Sequence, residues 1–366
     1  MCSVLVCSAL LCMHQPLRAQ NVVGYVGRDS SLTGRWSWAL AEAHRSPGKG
    51  EFWVGYSIKR LMDEDAYILS GSVFSGSVQQ DRPNLYDVIE GKSSKAIVTT
   101  AWRSHERPGI FKRLKDVAVL FLFSDGSSGI PSVDRIDLCT MELSVDLQKK
   151  PLYWLGFADD VESVRHLIGV FSQPVSIDVK KRLVETIAIH QHSDDVYPFL
   201  VSVLEGSEQD GVRARAAFWI GEQKNPESLR LLMETAQQDR SRKVREESVF
   251  AISQTDGDSS VDALITLARS ANDAKVRSKA AFWLGQKTST KAVATLEDII
   301  AGDEDTDVQR QALYGLSQIK DNEAVNRLIR VAKSHPNPRI RKLAIQILGQ
   351  TDDPKALEAL IDIARN

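Results

Sequence analysis

The chain has 366 residues, of which 43% are hydrophobic and 26% charged, and its formal net charge is −2. This length is enough for two domains, and the composition is that of an ordinary globular protein. The near-zero net charge argues against nucleic acid or an anionic membrane surface as the partner, because both require an excess of Lys and Arg.

The first 20 residues predict a secretory signal peptide. Residues 1–12 form an apolar run too short to span a bilayer, and a cleavage site can follow Ala19. No Lys or Arg precedes the run, so a disordered apolar tail is the alternative. We expect an exported protein, periplasmic or secreted, without stable membrane insertion after cleavage.

Cysteine usage separates this leader from the rest of the chain. Cys2, Cys7 and Cys12 lie in the leader, and Cys139 is the only cysteine after it. The mature protein therefore has no internal disulfide. Cys139 lies in an apolar alternating run, which favours a buried small hydrophobic residue over a nucleophile.

Residues 21–50 predict a flexible leader followed by a short helix at 36–43, which Ser46, Pro47 and Gly48 terminate. From Phe52 the hydrophobic period changes to two, which is typical of strands. Residues 51–148 therefore predict a β-rich N-terminal domain with a small mixed or antiparallel sheet. Its strand candidates are residues 52–58, 66–69, 96–100, 117–123 and 136–145, with a loop at 124–131.

The C-terminal part of the chain is an internal repeat of 32 residues. Counting from its first apolar residue, the fifth residue is small in every unit, and a second helix carries an unbroken column of leucines. The first positions are Val212, Val244, Val276, Val308 and Ile340, and the leucine column is Leu232, Leu264, Leu296, Leu328 and Leu360. The pattern therefore predicts that each unit consists of two helices joined by a turn.

The repeat also extends backwards. Residues 154–156 match the end of a first helix, which makes Trp154 equivalent to Trp219 and Trp283 and starts the array near residue 149. Two units separate Trp219 from Trp283, and their indoles either fill the seam between units or form an exposed hot spot. The predicted fold is mainly α: a repeat solenoid at residues 149–366, preceded by the smaller β-rich domain.

Residues 338–349 and 353–360 resemble a short HEAT repeat, of the type found in phycobilisome lyases. The resemblance covers residues 149–366 and implies an α-solenoid whose second helices line the concave side. Such repeats serve scaffolds, chaperones and a few chromophore lyases, so the resemblance does not define one function.

Arginine recurs at the second position of the repeat, as Arg213, Arg245, Arg277 and Arg341, and Gln309 is the exception. In the resembling family such arginines pair with acids of a neighbouring unit. Asp239, Asp273 and Asp307 occupy the loops before the first helices, which predicts a ladder of ion pairs.

Two groups of ionisable residues could carry chemistry. His190 and His192, with Asp194 and Asp195, could bind a metal, but the repeat places them in an exposed turn between helices. His105 and Glu106, flanked by arginines, could supply a catalytic acid or base, and a solvated loop explains them equally. We expect no catalytic residue, metal or cofactor.

The sequence thus predicts an exported HEAT-like scaffold that binds a protein partner and has no enzymatic activity. The alternatives are a small-ligand or chromophore-lyase-like binding protein, and an enzyme whose activity lies in the N-terminal domain. Partner-binding candidates point away from the leucine column, although a merely solvated face explains the same residues. They are Arg230, Glu234, Asp262, Thr266, Asp298, Asn326, Arg330, Glu358 and Asp362.

If residues 1–20 are a signal peptide, the protein recovered from its native host should begin near Gln20 or Asn21. Intact-mass analysis or N-terminal sequencing of the native protein measures this directly. An unprocessed Met1 would remove the export prediction.

Overall fold

The structure is a computed structural model. Its contacts divide the chain into two compact units, Met1–Val196 and Tyr197–Asn366. The structure describes residues 22–25, 31–46, 50–64, 66–69, 72–75, 83–91, 112–125, 131–206, 208–287, 289–319 and 323–365.

The first unit is built on a seven-stranded mixed sheet of order β1-β7-β2-β5-β6-β3-β4. The strands are β1 (Val22–Gly24), β2 (Phe52–Asp63), β3 (Ala66–Leu69), β4 (Ser72–Ser75), β5 (Lys112–Asp125), β6 (Pro131–Thr140) and β7 (Leu152–Phe157). Its helices are α1 (Leu32–Arg45), α2 (Leu85–Glu90), α3 (Asp160–Phe171) and α4 (Ile177–Ala188).

The long antiparallel pair β2 and β5 forms the centre of this sheet, with register Phe52 to Phe123 through Asp63 to Lys112. Trp53, Tyr56 and Phe121 are fully buried there. Residues on both faces of these strands are buried, because helices pack against the sheet, and the alternating pattern therefore becomes a nearly continuous apolar run. The mixed sheet expected for the N-terminal domain is confirmed.

Two elements differ from the prediction. Residues 154–156, predicted as the end of a helix, belong to strand β7, which pairs in parallel with both β1 and β2. Strand β1 itself lies in the segment predicted to be a flexible leader. A match of only three residues is compatible with a helix end and with a strand. Here pairing with the adjacent edge of β2 makes these residues a strand. The first helix after the sheet therefore begins at Asp160, and Trp154 is not a repeat position.

The remaining local predictions have mixed outcomes. Helix α1 contains the predicted 36–43 helix, and β6 begins at Pro131 and ends at Thr140, earlier at both ends than the predicted 136–145. The signal-peptide segment 1–20 and the strand candidate 96–100 lie outside the described residues.

The second unit consists of successive helix pairs, as the 32-residue period predicts. Helix α5 precedes five pairs, each a first helix followed by a second helix. These are α5 (Val196–Glu205), α6 (Asp210–Glu222), α7 (Ser228–Gln238), α8 (Arg242–Gln254), α9 (Asp258–Ser270), α10 (Ala274–Leu284), α11 (Thr290–Gly302), α12 (Thr306–Gln318), α13 (Ala324–Ser334), α14 (Pro338–Leu348) and α15 (Pro354–Arg365).

The core of this unit is the stripe that the period predicts. Leu232, Leu264, Leu296 and Leu328 are buried, whereas Leu360 in the last helix is half-buried. Helix ends agree with local sequence: Asn337 accepts a hydrogen bond from the backbone N–H of Arg339 and Pro338 occupies the first turn, where its missing N–H costs nothing.

The arginine ladder is present, with one change of partner. Arg213 binds Asp239, Arg245 binds Asp273 at 2.5 Å, and Arg277 binds Asp303 at 2.9 Å rather than Asp307. Each arginine also donates to a carbonyl at or near the end of the preceding helix, at Leu204, Asp239, Ala271 and, for Arg341, His335. One guanidinium thus joins the loops of two consecutive units.

Truncating the leucine column should destabilise the helical unit. Leu264 is fully buried, so Leu264→Ala should lower the free energy of unfolding by about 2–4 kcal/mol through lost burial and a residual cavity. Leu357→Ala is the matched control: its side chain is 62% exposed, and the expected change is under about 0.5 kcal/mol. Urea denaturation measures both, and equal effects would contradict the assigned helix faces.

Candidate functional site

The nine residues predicted to bind a partner all lie on the second helices. Eight are exposed, and Asn326 is half-buried. By helix they are Arg230 and Glu234 on α7, Asp262 and Thr266 on α9, Asp298 on α11, Asn326 and Arg330 on α13, and Glu358 and Asp362 on α15.

Most charges in this row already have partners within the protein. Arg230 pairs with Glu234 of its own helix and with Glu227, which immediately precedes that helix. The others bridge adjacent second helices: Asp262 to Lys291 at 3.1 Å, Asp298 to Arg269 at 2.8 Å, Arg330 to Glu297 at 2.9 Å and Asp362 to Lys333 at 2.6 Å.

Exposed ion pairs of this kind contribute little to stability, because water screens them and their long side chains lose conformational freedom. They matter more for recognition, because each paired charge is compensated by an adjacent opposite charge, which reduces the field that the row presents. The row can influence association rate but offers almost no apolar area to a partner.

A second row lies on the first helices and was missed by the sequence analysis. Phe218, Phe250, Phe282 and Tyr314 recur every 32 residues at one repeat position. The three phenylalanines are half-buried and Tyr314 is 38% exposed. With Trp219 and Trp283, we call these residues the aromatic strip. Ring contacts connect Phe218 to Phe250 at 5.8 Å and Phe250 to Trp283 at 5.1 Å between centroids.

Small residues explain why these rings lie at the surface. A Cβ atom added to Gly285 would lie 2.3 Å from the Gly315 Cα atom, and one added to Gly221 would lie 3.0 Å from the Ala251 Cβ atom. Helices α10 and α12, and likewise α6 and α8, therefore meet backbone against backbone. No aromatic ring fits into such a seam, so the rings at the adjacent repeat position remain outside it.

The seam between α8 and α10 is different, because Trp283 occupies the place of the small residue. A cavity of about 610 Å³ opens there, which we call the α8–α10 groove. Its lining is Arg242, Lys243, Glu246, Glu247, Phe250, Lys279 and Trp283.

The groove combines an aromatic floor with charged walls, and Arg242 of its lining lies 3.6 Å from Asp273. Lys279 lies 3.9 Å from Glu246. Burial raises the pKa of Glu247, and Arg215, Lys243 and Lys279 oppose that shift.

Trp283 is half-buried in the groove, whereas Gln286 is exposed and does not line it. The Trp219 indole N–H is buried and has no acceptor among the described residues.

A family model for HEAT repeats matches residues 197–285, 261–334 and 293–366. Residues 197–366 are HEAT repeats. A comparison of the chain with curated proteins returned no match.

Two solved structures are similar to the chain at low identity. Human deoxyhypusine hydroxylase in complex with glycerol is 17% identical, with 55% of this chain and 85% of that chain covered and a TM-score of 0.25. The complex of CpcE and CpcF of phycocyanin lyase from Nostoc sp. PCC7120 is 16% identical, with 54% and 79% covered and a TM-score of 0.33. At these scores neither structure bears on the function of this chain.

Outside the HEAT repeats, a cavity of about 860 Å³ lies beside the start of α3. Its charged groups are engaged elsewhere: Lys59 pairs with Asp116, and Arg165 pairs with Asp195. Asp160 accepts hydrogen bonds from the backbone N–H groups of Gln191 and His192. Within the described residues, no group of three His, Cys, Asp or Glu side chains could hold a metal ion.

His190, predicted to lie in an exposed turn, is instead buried. Its Nδ1 donates to the carbonyl of Thr186 at 2.8 Å, so its Nε2 accepts from Ser163 Oγ at 2.7 Å, and the Tyr56 hydroxyl completes the chain at 2.8 Å. A serine beside a neutral imidazole resembles a nucleophile and its base. Ser163 is fully buried, however, so no substrate reaches it, and this network joins α3 and α4 to the sheet.

Other predicted positions have simpler outcomes. Cys139 is buried and unpaired, as expected of a small hydrophobic residue, and burial raises the pKa of its thiol. His105 and Glu106 lie outside the described residues. None of the described helices is both long and apolar enough to cross a membrane.

The buried histidines should make the first unit sensitive to acid. Burial lowers the pKa of His190 and of His166, which packs against Trp36, to about 4. Below the ordinary value of about 6.5 the unfolded chain binds more protons than the folded one. The part of the free energy of unfolding that depends on these histidines is therefore fully present above pH 6.5 and is lost as the pH falls towards 4. At pH 5 the expected loss is about 2 kcal/mol for each histidine.

Urea denaturation at pH 7 and pH 5 measures this loss. His190→Gln, which cannot gain the proton, should show a loss smaller by about 2 kcal/mol than the unmodified protein. An identical pH dependence in the two proteins would contradict the assignment.

Proposed function

We propose that this protein is an exported HEAT-repeat scaffold that binds a protein partner through the aromatic strip and performs no chemical step. The observation that carries the proposal is the recurrence of one surface aromatic in four consecutive units, Phe218, Phe250, Phe282 and Tyr314. A solvated helix face does not need aromatic residues, whereas protein interfaces are enriched in them.

Energetic considerations favour the strip over the charged row of the second helices. Partly exposed rings supply apolar area whose removal from water drives association, and the helices beneath them are fixed by backbone contact, so little is lost by ordering the surface on binding. The charged row on the second helices, by contrast, already pairs with its own neighbours. Its nine residues stay candidates for steering a partner rather than for holding it.

Export supports a scaffold role in a compartment outside the cytoplasm. It rests on the composition of residues 1–20, an apolar run followed by Ala19. Cys139 is buried, and the other cysteines lie within the leader, so the mature protein would expose no described thiol to an oxidising environment.

Quantitative affinity capture can distinguish the contributions of the aromatic strip and of the charged row on the second helices. The full-length protein serves as bait in an extract of the producing cells. The strip variant combines Phe250→Leu with Tyr314→Ser, which removes ring surface while nearly preserving the volume of the half-buried side chain. The row variant combines Asp262→Lys, Asp298→Lys and Asp362→Lys. Circular dichroism and urea denaturation verify that both variants fold.

We expect the strip variant to capture at least about tenfold less partner, and the row variant mainly to change the salt dependence of association. Loss of capture in the row variant alone would transfer the binding surface to the second helices. If both variants capture as the unmodified protein does, the first 196 residues become the binding candidate and the strip proposal fails.

A further inference from the structure

Helix α15 exposes an apolar face that the other second helices of the HEAT repeats bury at least in part. Leu357 is 62% exposed and Ile361 is 43% exposed. Their equivalents one unit earlier, Val325 and Ile329 on α13, are half-buried, and Val261 on α9 is 8% exposed. The surface by which one HEAT unit packs against the next is therefore accessible on α15.

A single ridge runs along this face. Residues four apart lie one above the other on a helix surface, so a row of this spacing forms a ridge. The ridge starts with an acid directly before the helix, has two apolar side chains in its centre and finishes with a base in the last turn. We call it the α15 ridge, and its members are Asp353, Leu357, Ile361 and Arg365.

The α15 ridge is complementary to itself when it is reversed. If two copies lie antiparallel, with a two-fold axis at the height of Ala359, Leu357 meets Ile361 of the second copy. The same axis brings Asp353 beside Arg365 of the second copy. Each contact then occurs twice, as in the isologous interfaces of two-fold dimers. Ridges of this spacing are also the ones that interlock in the commonest class of helix packing.

Electrostatics favours the antiparallel arrangement over a parallel one. Among the described residues, neither Asp353 nor Arg365 forms an ion pair, and Asp353 accepts a hydrogen bond from the backbone N–H of Lys355 at 2.8 Å. Antiparallel pairing places the start of each helix beside the end of the other, so side-chain charges and helix dipoles both attract. Parallel pairing would place acid beside acid and base beside base. Glu358 flanks the ridge at its rim, where water and salt screen it.

We propose that a second copy of this chain covers the α15 ridge in an antiparallel two-fold pairing. One helix face is smaller than the roughly 800 Å² per partner of a standard interface, so the dimer is weak and forms only at high protein concentration. In dilute denaturation experiments the chain is then monomeric, and Leu357 counts as exposed surface.

The pairing goes beyond the proposed function, because it uses a second helix and not the aromatic strip of the first helices. Its consequence is that one dimer carries two strips. A partner with two binding segments could occupy both strips at once, which raises its apparent affinity without any new contact.

Sedimentation velocity of the full-length protein, from low to high micromolar concentration, measures the equilibrium between monomer and dimer. The interface variant combines Leu357→Gln with Ile361→Gln, which removes the apolar centre of the ridge but keeps good helix-forming residues. Leu114→Gln is the matched control, because its side chain is 58% exposed and lies on β5, outside the HEAT repeats. Circular dichroism verifies that each variant folds.

We expect the unmodified protein and Leu114→Gln to dimerise equally, and the interface variant to dimerise at least about tenfold more weakly. Two charge variants test the register. Arg365→Asp and Asp353→Arg each put like charges together at both ends of the ridge, so each alone should dimerise more weakly than the unmodified protein. A mixture of the two should restore the dimer, because an acidic ridge then meets a basic one.

A protein that stays monomeric at high micromolar concentration would overturn the inference. So would an interface variant or an Arg365→Asp variant that dimerises as the unmodified protein does, or a mixture of the charge variants as weak as its components. Loss of the dimer in the strip variant, with the interface variant unaffected, would likewise overturn it and assign the contact to the aromatic strip. The capture experiment tests the scaffold function separately from all of these outcomes.

Discussion

Backbone contact between first helices is the constraint on which the HEAT-repeat unit depends. Gly285 faces Gly315 and Gly221 faces Ala251 so closely that a larger side chain would force the helices apart. The contact closes two seams, keeps the adjacent aromatic rings at the surface and leaves the seam beside Trp283 open. The packing of small residues thus determines both the stability of the array and the location of its most distinctive surface.

The arginine ladder supplies specificity that apolar packing alone does not. Arg213 and Arg277 are buried, and each is matched by a carboxylate one unit further along the chain, so each pair determines which loop lies next to which. The exception supports this view. Where Gln309 replaces the arginine, His335 replaces the aspartate and donates to the carbonyl of Ile300 at 2.7 Å. The arginine and the aspartate are therefore replaced together, which leaves no carboxylate without its arginine at a position where a lone buried charge would be costly.

The 32-residue register made the helical unit predictable, because the leucine column and the small residues repeat without drift over five units. The register gave the wrong structure at Trp154. The match to the repeat was short there, and pairing with β2, which is distant in sequence, makes these residues a strand rather than a helix. His190 was misplaced for a related reason: its burial depends on Ser163 and Tyr56, which are distant in sequence. The aromatic strip was readable in the same register, but its exposure follows from which seams close, and that is a property of the packed helices.

The alternation of closed and open seams makes a pair of HEAT units, rather than a single unit, the element that can be exchanged without damage. Removing one unit, α10 with α11, would place Ala251 and Ser253 of α8 beside Gly315 of α12 and leave a void where the indole of Trp283 had been. Removing two units, α8 through α11, would bring Gly221 of α6 against Gly315, which reproduces the glycine contact that Gly285 now makes. Shortened or lengthened arrays of this protein should therefore tolerate steps of 64 residues far better than steps of 32.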